Sequence, residues 1–365
     1  MVVSVVRREP ADVDVLVIGA GQAGLSSAYH LRRAGFAPGS GYLVLDGAPR
    51  PGGAWQYRWP TLTLGDVHGI YHLPGLELTA RGMDRPASEV IPAYFADYEI
   101  QFELPVRRPI QVNSVTDGPD RRLLVDTTDG EFAARAVINA TGTWGHPFLP
   151  HYPGQETFTG RQLHTVNYRG PGEFAGKRVV VVGGGTSAVQ LLIEVAKVAA
   201  STTWVTRRPP IFSDDMFNSE RGRAAVALVD KAVRAGLPPA SVVSVTGLTR
   251  TLAVREAQAN GVLDRLPMFE RITPDGVTWP DGTHQQADII FWNTGWRAAL
   301  DHLRPLHLRG PGGGIVMDGT RVVAEPRLHL VGYGPSASTV GANRAGRAAV
   351  HEIRQLLDAD RELTA

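Results

Sequence analysis

Residues 13–49 read VDVLVIGAGQAGLSSAYHLRRAGFAPGSGYLVLDGAP, and their pattern decides the fold. Val13 to Ile18 form an apolar run of strand length, followed by Gly19, Gly21 and Gly24 at G-x-G-x-x-G spacing. Leu25, Ala28 and Leu31, continuing to Ala34, recur at helical spacing. Gly35 ends the helix, and YLVLD supplies a second strand closed by Asp46. A lone G-x-G-x-x-G is a weak signal; set between a strand and a helix it predicts a βαβ dinucleotide-binding unit. The first glycine permits a tight turn, the second lets backbone approach a pyrophosphate, and the third lets helix pack on strand. Gly19, Gly21, Gln22, Ala23 and Gly24 thus present a helix N-terminus to the phosphates. Asp46 stands where an acid accepts from a ribose diol.

The pattern returns in residues 176–210, GKRVVVVGGGTSAVQLLIEVAKVAASTTWVTRRPP. Gly183, Gly185 and Ala188 give G-x-G-x-x-A after four valines, and Thr186 and Ser187 open a helix expected to run to about Val198. The next strand, TTWVT, ends in Arg207 and Arg208 where the first unit has its acid. Paired arginines suit a 2′-phosphate; the other reading is a solvated basic turn. On the first reading the second unit holds NADPH and the first a cofactor with a free ribose diol.

Further signatures join the two units. RPGGAW (50–55) places Gly53, Ala54 and Trp55 for a second close backbone approach, although a plain Pro-Gly-Gly turn with a core Trp also accounts for them. One apolar strand ends in Ala140, Thr141 and Gly142, another in Asn293, Thr294 and Gly295. Each follows a turn, Asp129-Gly130 in one case and Asp281-Gly282 in the other, as in a duplicated unit with a small β-excursion in each half. Val112 completes the expected cofactor-contacting set. The reading is therefore α/β, with two Rossmann-like dinucleotide-binding domains, FAD in one and NADPH in the other, the second inserted into the first. The expected boundaries are 1–165 for the first part of the FAD domain, 166–290 for the NADPH domain and 291–365 for the returning FAD part. Residues 212–269 read as an insert, with Val226, Val229 and Val233 on a helix that either packs in a core or shapes access to substrate.

Composition narrows the chemistry. A chain of 365 residues has room for two domains, and a net charge of +1 offers no basic excess for nucleic acid or an anionic membrane. The 11 histidines are dispersed, so no metal is expected. There is no cysteine, which excludes disulfides, thiolate metal sites and a redox-active C-x-x-C. The opening MVVSVVRREP lacks the form of a secretory signal, and the longest apolar segment is broken by GGG, Glu194 and Lys197, so a cytoplasmic protein is expected.

GAGQAG, GGAW, ATGTW and GGGTSA, together with the C-terminal LVGYGPSASTVGANRAGRAA, resemble the flavin-containing monooxygenases in motif and order. These class B flavoproteins also include the Baeyer–Villiger enzymes, and the length resembles the short bacterial members. The most specific match is FTGRQLHTVNY (158–168), where Phe158, Gly160, His164 and Tyr168 fit F-x-G-x-x-x-H-x-x-x-(Y/F/W). The resemblance implies a linker between the FAD and NADPH domains, with His164 structural rather than a base. Tyr168 looks closer to the heteroatom-oxidising branch, whereas its follower Arg169 matches neither branch. It further implies that NADPH reduces FAD, that a C4a-(hydro)peroxyflavin forms with oxygen, and that a sulfide or amine, or a ketone by Baeyer–Villiger oxidation, is oxygenated. No catalytic side chain is assigned, and a homodimer is common among relatives. One departure is Gly65, which falls where many members carry an Asn, with Asp66 and His68 beside it. The alternative is an NADPH-dependent flavin reductase or oxidase that releases hydrogen peroxide or passes electrons to a carrier.

Overall fold

Runs of β-branched residues, each closed by glycine and followed by a helix, build two separate sheets. The computed structural model describes residues 9–67, 70–79, 82–214, 219–239 and 247–364. The first sheet opens with β1 (Ala11–Ile18), α1 (Gln22–Arg33), β2 (Tyr42–Leu45), α2 (Ala87–Gln101) and β3 (Val106–Arg107). The excursion β4 (Val112–Asp117), β5 (Leu123–Thr127) and β6 (Gly130–Asn139) follows. β1 lies parallel to both β2 and β6, with Val17 opposite Val44 and Ile138, while β4–β5–β6 form an antiparallel meander turned at Asp129-Gly130.

The chain then leaves this sheet and builds a second. Its elements are β7 (Arg161–His164), β8 (Arg178–Val182), α3 (Thr186–Val195), β9 (Ser201–Thr206), β10 (Phe212–Ser213), α4 (Ser219–Arg234), β11 (Leu248–Thr249) and α5 (Leu252–Ala259). After these come β12 (Arg265–Pro267), β13 (Arg271–Thr273), β14 (Gly276–Thr278), β15 (His284–Gln286) and β16 (Ile289–Trp292). Five strands in the order β12-β9-β8-β16-β7 are parallel, and β13–β15 form a separate antiparallel sheet that turns at Asp281-Gly282. Finally β17 (Met317–Asp318), β18 (Arg321–Val322) and β19 (Glu325–Leu330) return to the first sheet, β19 lying parallel to β6, and α6 (Thr339–Thr364) closes it. The second unit is thus inserted into the first. Its sheet runs from Arg161 to Trp292, reaching a few residues past each end of the expected 166–290 span.

Alternation along β1 sorts the core. Val15 and Val17 face α1, α2 and α6, whereas Leu16 and Ile18 face the β4–β5 meander. The insert behaves differently from the access-shaping reading. Val229 and Val233 of α4 are buried against Leu303, Ile315 and Met317 in the first sheet's core, and Val226 is only partly buried. Two details also differ from expectation. α3 gives way after Val195 to a tightened turn, in which Lys197 N donates to the Glu194 carbonyl (3.3 Å) and Val198 N to the Val195 carbonyl (3.0 Å). The 158–168 stretch, expected as a linker, also contributes β7, the edge strand paired with β16. Among the described residues no helix is long and apolar enough to cross a membrane.

His329 on β19 is 1% exposed, with Nδ1 2.9 Å from Thr320 Oγ1 and 3.9 Å from Glu352. Burial pulls it down to about 4, so it is neutral in the folded protein at pH 7. Protonation is easier in the unfolded chain, with its ordinary value of 6.5, so stability is unaffected above that pH and is lost as pH falls from there to about 4. The loss is on the order of 3 kcal/mol for this group. Urea midpoints measured from pH 7 to 4 should fall, and His329→Gln should flatten part of the fall; identical slopes would contradict this.

Candidate active site between two dinucleotide folds

Both fingerprints take the same geometry. Gly19, at φ +99°, lies so close to the end of β6 that a Cβ would come within 2.6 Å of the Ala140 carbonyl oxygen. Gly183, at φ +138°, stands in the same relation to the Asn293 carbonyl oxygen at 2.2 Å. A Cβ on Gly24 would lie 1.8 Å from the Gly19 oxygen, so no larger residue lets α1 pack here. α1 and α3 begin after Gly21 and Gly185 with no side-chain cap, leaving their first-turn N–H groups for an anion. The space beside Gly185 is open, and Thr186, Ser187 and Ala188 form the first turn behind it. Gly53 brings the RPGGAW turn, with Ala54 and Trp55, against Gly21, its would-be Cβ 2.8 Å from the Gly21 Cα. Gln56, unnoticed in the sequence, pins that turn by donating to the Arg50 and Gly53 carbonyls (3.2 and 3.1 Å). Both cradles fit a dinucleotide pyrophosphate.

Other expected contacts are partly engaged within the protein. Gln22 donates to Asn343 Oδ1 (2.9 Å) and joins α1 to α6, with Ala23 buried beside it. Asp46 is buried just past β2, and its Oδ2 is 3.2 Å from Arg108. That arginine is gripped by Glu99 at 2.6 and 2.8 Å. Burial disfavours its cation, but Glu99 and Asp46 together hold the charge in place, so Asp46 arrives oriented for a diol but already paired. Val112 is buried at the start of β4, two residues beyond Ile110, whose N–H donates to the Asp46 carbonyl (2.8 Å). Arg207 and Arg208 follow β9 and are exposed, and neither makes an ion pair among the described residues. Arg265, which no sequence pattern singled out, joins this corner through Thr206 Oγ1 (3.4 Å).

Past β6 and β16 the chain crosses between the two sheets, and the two crossings run side by side. Phe148 N donates to the Gly295 carbonyl (2.9 Å), Arg297 N to His146 (2.9 Å) and Ala299 N to Gly142 (3.0 Å). Thr141 Oγ1 donates to the Ala299 carbonyl (2.7 Å) and Thr294 Oγ1 to the Phe148 carbonyl, so both hydroxyls hold the crossing. Asn293 receives Thr165 Oγ1 at 2.9 Å.

The spacing of 158–168 follows from contacts. Phe158 fills the core between the five-stranded sheet and β13–β14, and Gly160 passes so near Asp288 that a Cβ would lie 2.5 Å from its carbonyl oxygen. His164 Nε2 lies 3.1 Å from the Gly295 carbonyl while Nδ1 accepts from Val166 N (3.3 Å). Burial holds its pKa below the ordinary value, so it is a neutral donor that fixes the second crossing. Its ring meets Trp296 edge-on (5.3 Å, 90°), and Tyr168, fully buried, meets Trp59 the same way (6.4 Å, 83°). Trp59 and Trp296 are two walls of a box around Arg58, whose guanidinium carbon lies 5.6, 5.8, 4.7 and 5.6 Å from the ring centroids of Trp55, Trp59, Trp144 and Trp296. Sequence reasoning missed this box; its signal was that Trp55, Trp144 and Trp296 each follow a glycine turn by one or two residues. Gly65 lies in a 3₁₀ turn with its N–H on the Met83 carbonyl (2.8 Å), where a Cβ would meet that same oxygen at 3.1 Å. Asp66 is exposed and accepts from Thr63 Oγ1 (2.6 Å), and His68 lies outside the described residues.

The pyridine nucleotide-disulphide oxidoreductase family matches residues 16–221. The chain is 40% identical to a flavin-containing monooxygenase from Stenotrophomonas maltophilia, superposing with a TM-score of 0.80 over 95% of this chain and 99% of that one. It is 26% identical to an uncharacterized CzcO-like oxidoreductase of Geobacillus kaustophilus, over 82% of this chain and 87% of the relative. An indole-3-pyruvate monooxygenase, YUCCA1 of Oryza sativa, is also 26% identical, over 90% and 88% of the two chains.

Proposed function

The chain belongs to the flavin-containing monooxygenases and to the wider pyridine nucleotide-disulphide oxidoreductases, and on that premise we propose that it oxygenates a soft nucleophile, a sulfide or an amine. FAD, NADPH and dioxygen are its co-reactants. The observation that carries the reading is the paired crossing of 142–148 and 295–299, which brings the carboxyl ends of both nucleotide sheets to one place. The chain has no cysteine to take electrons there, so it lacks the dithiol its wider family is named for.

Bound FAD supplies hydride acceptance and oxygen activation, chemistry that no side chain here offers. The residues around it bind, orient and exclude water. Gly19, Gly21 and Gly24 with Asp46 and the RPGGAW turn would hold FAD on the first sheet; Gly183, Gly185 and Ala188 with Arg207 and Arg208 would hold NADPH on the second. Four indoles around Arg58 supply apolar surface beside the two turns. His164, neutral and held at both ring nitrogens, has no free position from which to act as a base. A soft nucleophile needs no base, which favours sulfides and amines over ketones.

The test follows NADPH oxidation, oxygen uptake and hydrogen peroxide release with a panel of sulfides, amines and ketones, including indole-3-pyruvate. A sulfide or amine that speeds NADPH oxidation and appears as its oxide supports the reading. NADPH use that ends wholly as hydrogen peroxide across the panel would sink it in favour of an oxidase. Preference for NADPH rests on Arg207 and Arg208. Replacing both with Ala should raise KM for NADPH about 10–100-fold, the worth of one or two charge-assisted hydrogen bonds, and leave NADH unchanged. Equal KM values for the two cofactors in the unaltered enzyme would remove the basis for it.

A further inference from the structure

Arg58 is a half-buried cation with no anion beside it among the described residues. Its Nε is sealed from solvent and bonds to nothing, and no carboxylate pairs with its guanidinium among the described residues. The indole N–H of Trp296, a wall of the same box, is likewise buried and unpartnered. Burial brings Arg58 down only to about 10, so the charge persists at pH 7. Ring faces attract the charge, but they leave the in-plane N–H donors empty. Two unfilled donors in one apolar box are costly unless a ligand accepts from them.

The box is built from the turns that define the nucleotide sites: Trp55 from RPGGAW, Trp144 from the first crossing and Trp296 from the second. The turns that carry Trp144 and Trp296 are open, since a Cβ added at Gly142, Gly145 or Gly295 would meet nothing within 4 Å. Tyr57, Trp144 and Trp296 also stack in series (6.4 Å and 11°, then 5.2 Å and 22°), presenting flat aromatic surface. The anionic groups of the two dinucleotides have other seats, at the uncapped starts of α1 and α3 and beside Arg207 and Arg208. A carboxylate is planar, accepts from a guanidinium in pairs and suits a site walled by indoles.

We propose that Arg58, with Trp296 Nε1, is a carboxylate-binding subsite, and that the substrate is a planar or aromatic molecule carrying a carboxylate at one end and the oxidisable atom at the other. This rests on the monooxygenase reading for the second half of the statement only; the carboxylate site stands by itself.

Binding to the oxidised holoenzyme without NADPH tests it, because no turnover is needed. Four of the chain's seven tryptophans surround Arg58, so their emission reports occupancy. In the unaltered protein 4-(methylthio)benzoate should quench this emission with a Kd about 10-fold or more below that of uncharged methyl phenyl sulfide. Arg58→Gln should weaken the benzoate about 10–100-fold and leave the neutral sulfide alone, with Arg58→Lys between the two. No preference in the unaltered protein overturns the proposal without any variant. So does an Arg58→Gln enzyme whose benzoate-to-sulfide ratio is unchanged, or whose only change is a higher KM for NADPH, which would assign the cation to the nicotinamide cofactor. A preference that persists while no sulfide is ever oxygenated would leave the subsite standing and defeat the monooxygenase reading alone.

Discussion

Gly24→Ala protein is expected to purify without its yellow colour. The added methyl would lie 1.8 Å from the Gly19 carbonyl oxygen, a backbone atom fixed in the turn, and 3.6 Å from the Ala140 side chain. Neither can move alone: Gly19 N is tied to the Leu45 carbonyl (2.7 Å) and Ala140 N to the Ile18 carbonyl (2.8 Å). α1 must slide off β1, which opens the first cradle and disturbs the core that α1 shares with α6. Overpacking of this kind costs roughly 1–3 kcal/mol and more where backbone must shift. The ratio of flavin to protein absorbance should fall at least about tenfold, with a melting point several degrees lower. A fully yellow variant with native melting would show that the third glycine position does not carry the packing argued for it.

Gly183→Ala should have the opposite selectivity. Its methyl would meet the Asn293 carbonyl oxygen at 2.2 Å, in a backbone conformation at φ +138° that L-residues rarely adopt. The injury lies in the turn between β8 and α3 and at the end of β16 that it meets, away from the first cradle, so the variant should remain yellow and bleach with dithionite. Its anaerobic bleaching by NADPH should slow about 100-fold or more, because the turn that aims α3 at the pyrophosphate is displaced. Normal reduction by NADPH would mean that the second sheet is not where this cofactor binds.

The parts of the molecule that depend on local backbone were legible from the sequence. Glycine spacing after a β-branched run dictates a turn and a helix start, and both fingerprints, both excursions and the return to the first sheet followed from that. What escaped depends on residues brought together from far apart. Arg58, Trp144 and Trp296 are 86 and 152 residues apart along the chain, and no periodicity links them. Asp46 was placed correctly at the end of β2, but its pairing with Arg108 needs the turn after β3, which has no signature. The valine stripe of α4 was visible as a helix face, yet the partner it covers, Leu303 to Met317, lies some 70 residues on. The 158–168 spacing was recognisable as a motif, and its reason emerged only with Gly295 and the indoles beside it.

The two crossings have a mechanical meaning. Separate tethers would let the halves swivel freely, but here 142–148 and 295–299 are stitched to each other by backbone bonds and by two threonine hydroxyls. A doubled ribbon bends across its width far more easily than it twists or stretches. The halves are joined again where Val229 and Val233 of α4 pack into the first sheet's core, so bending about the ribbon should be small, and least at the Arg58 box beside it.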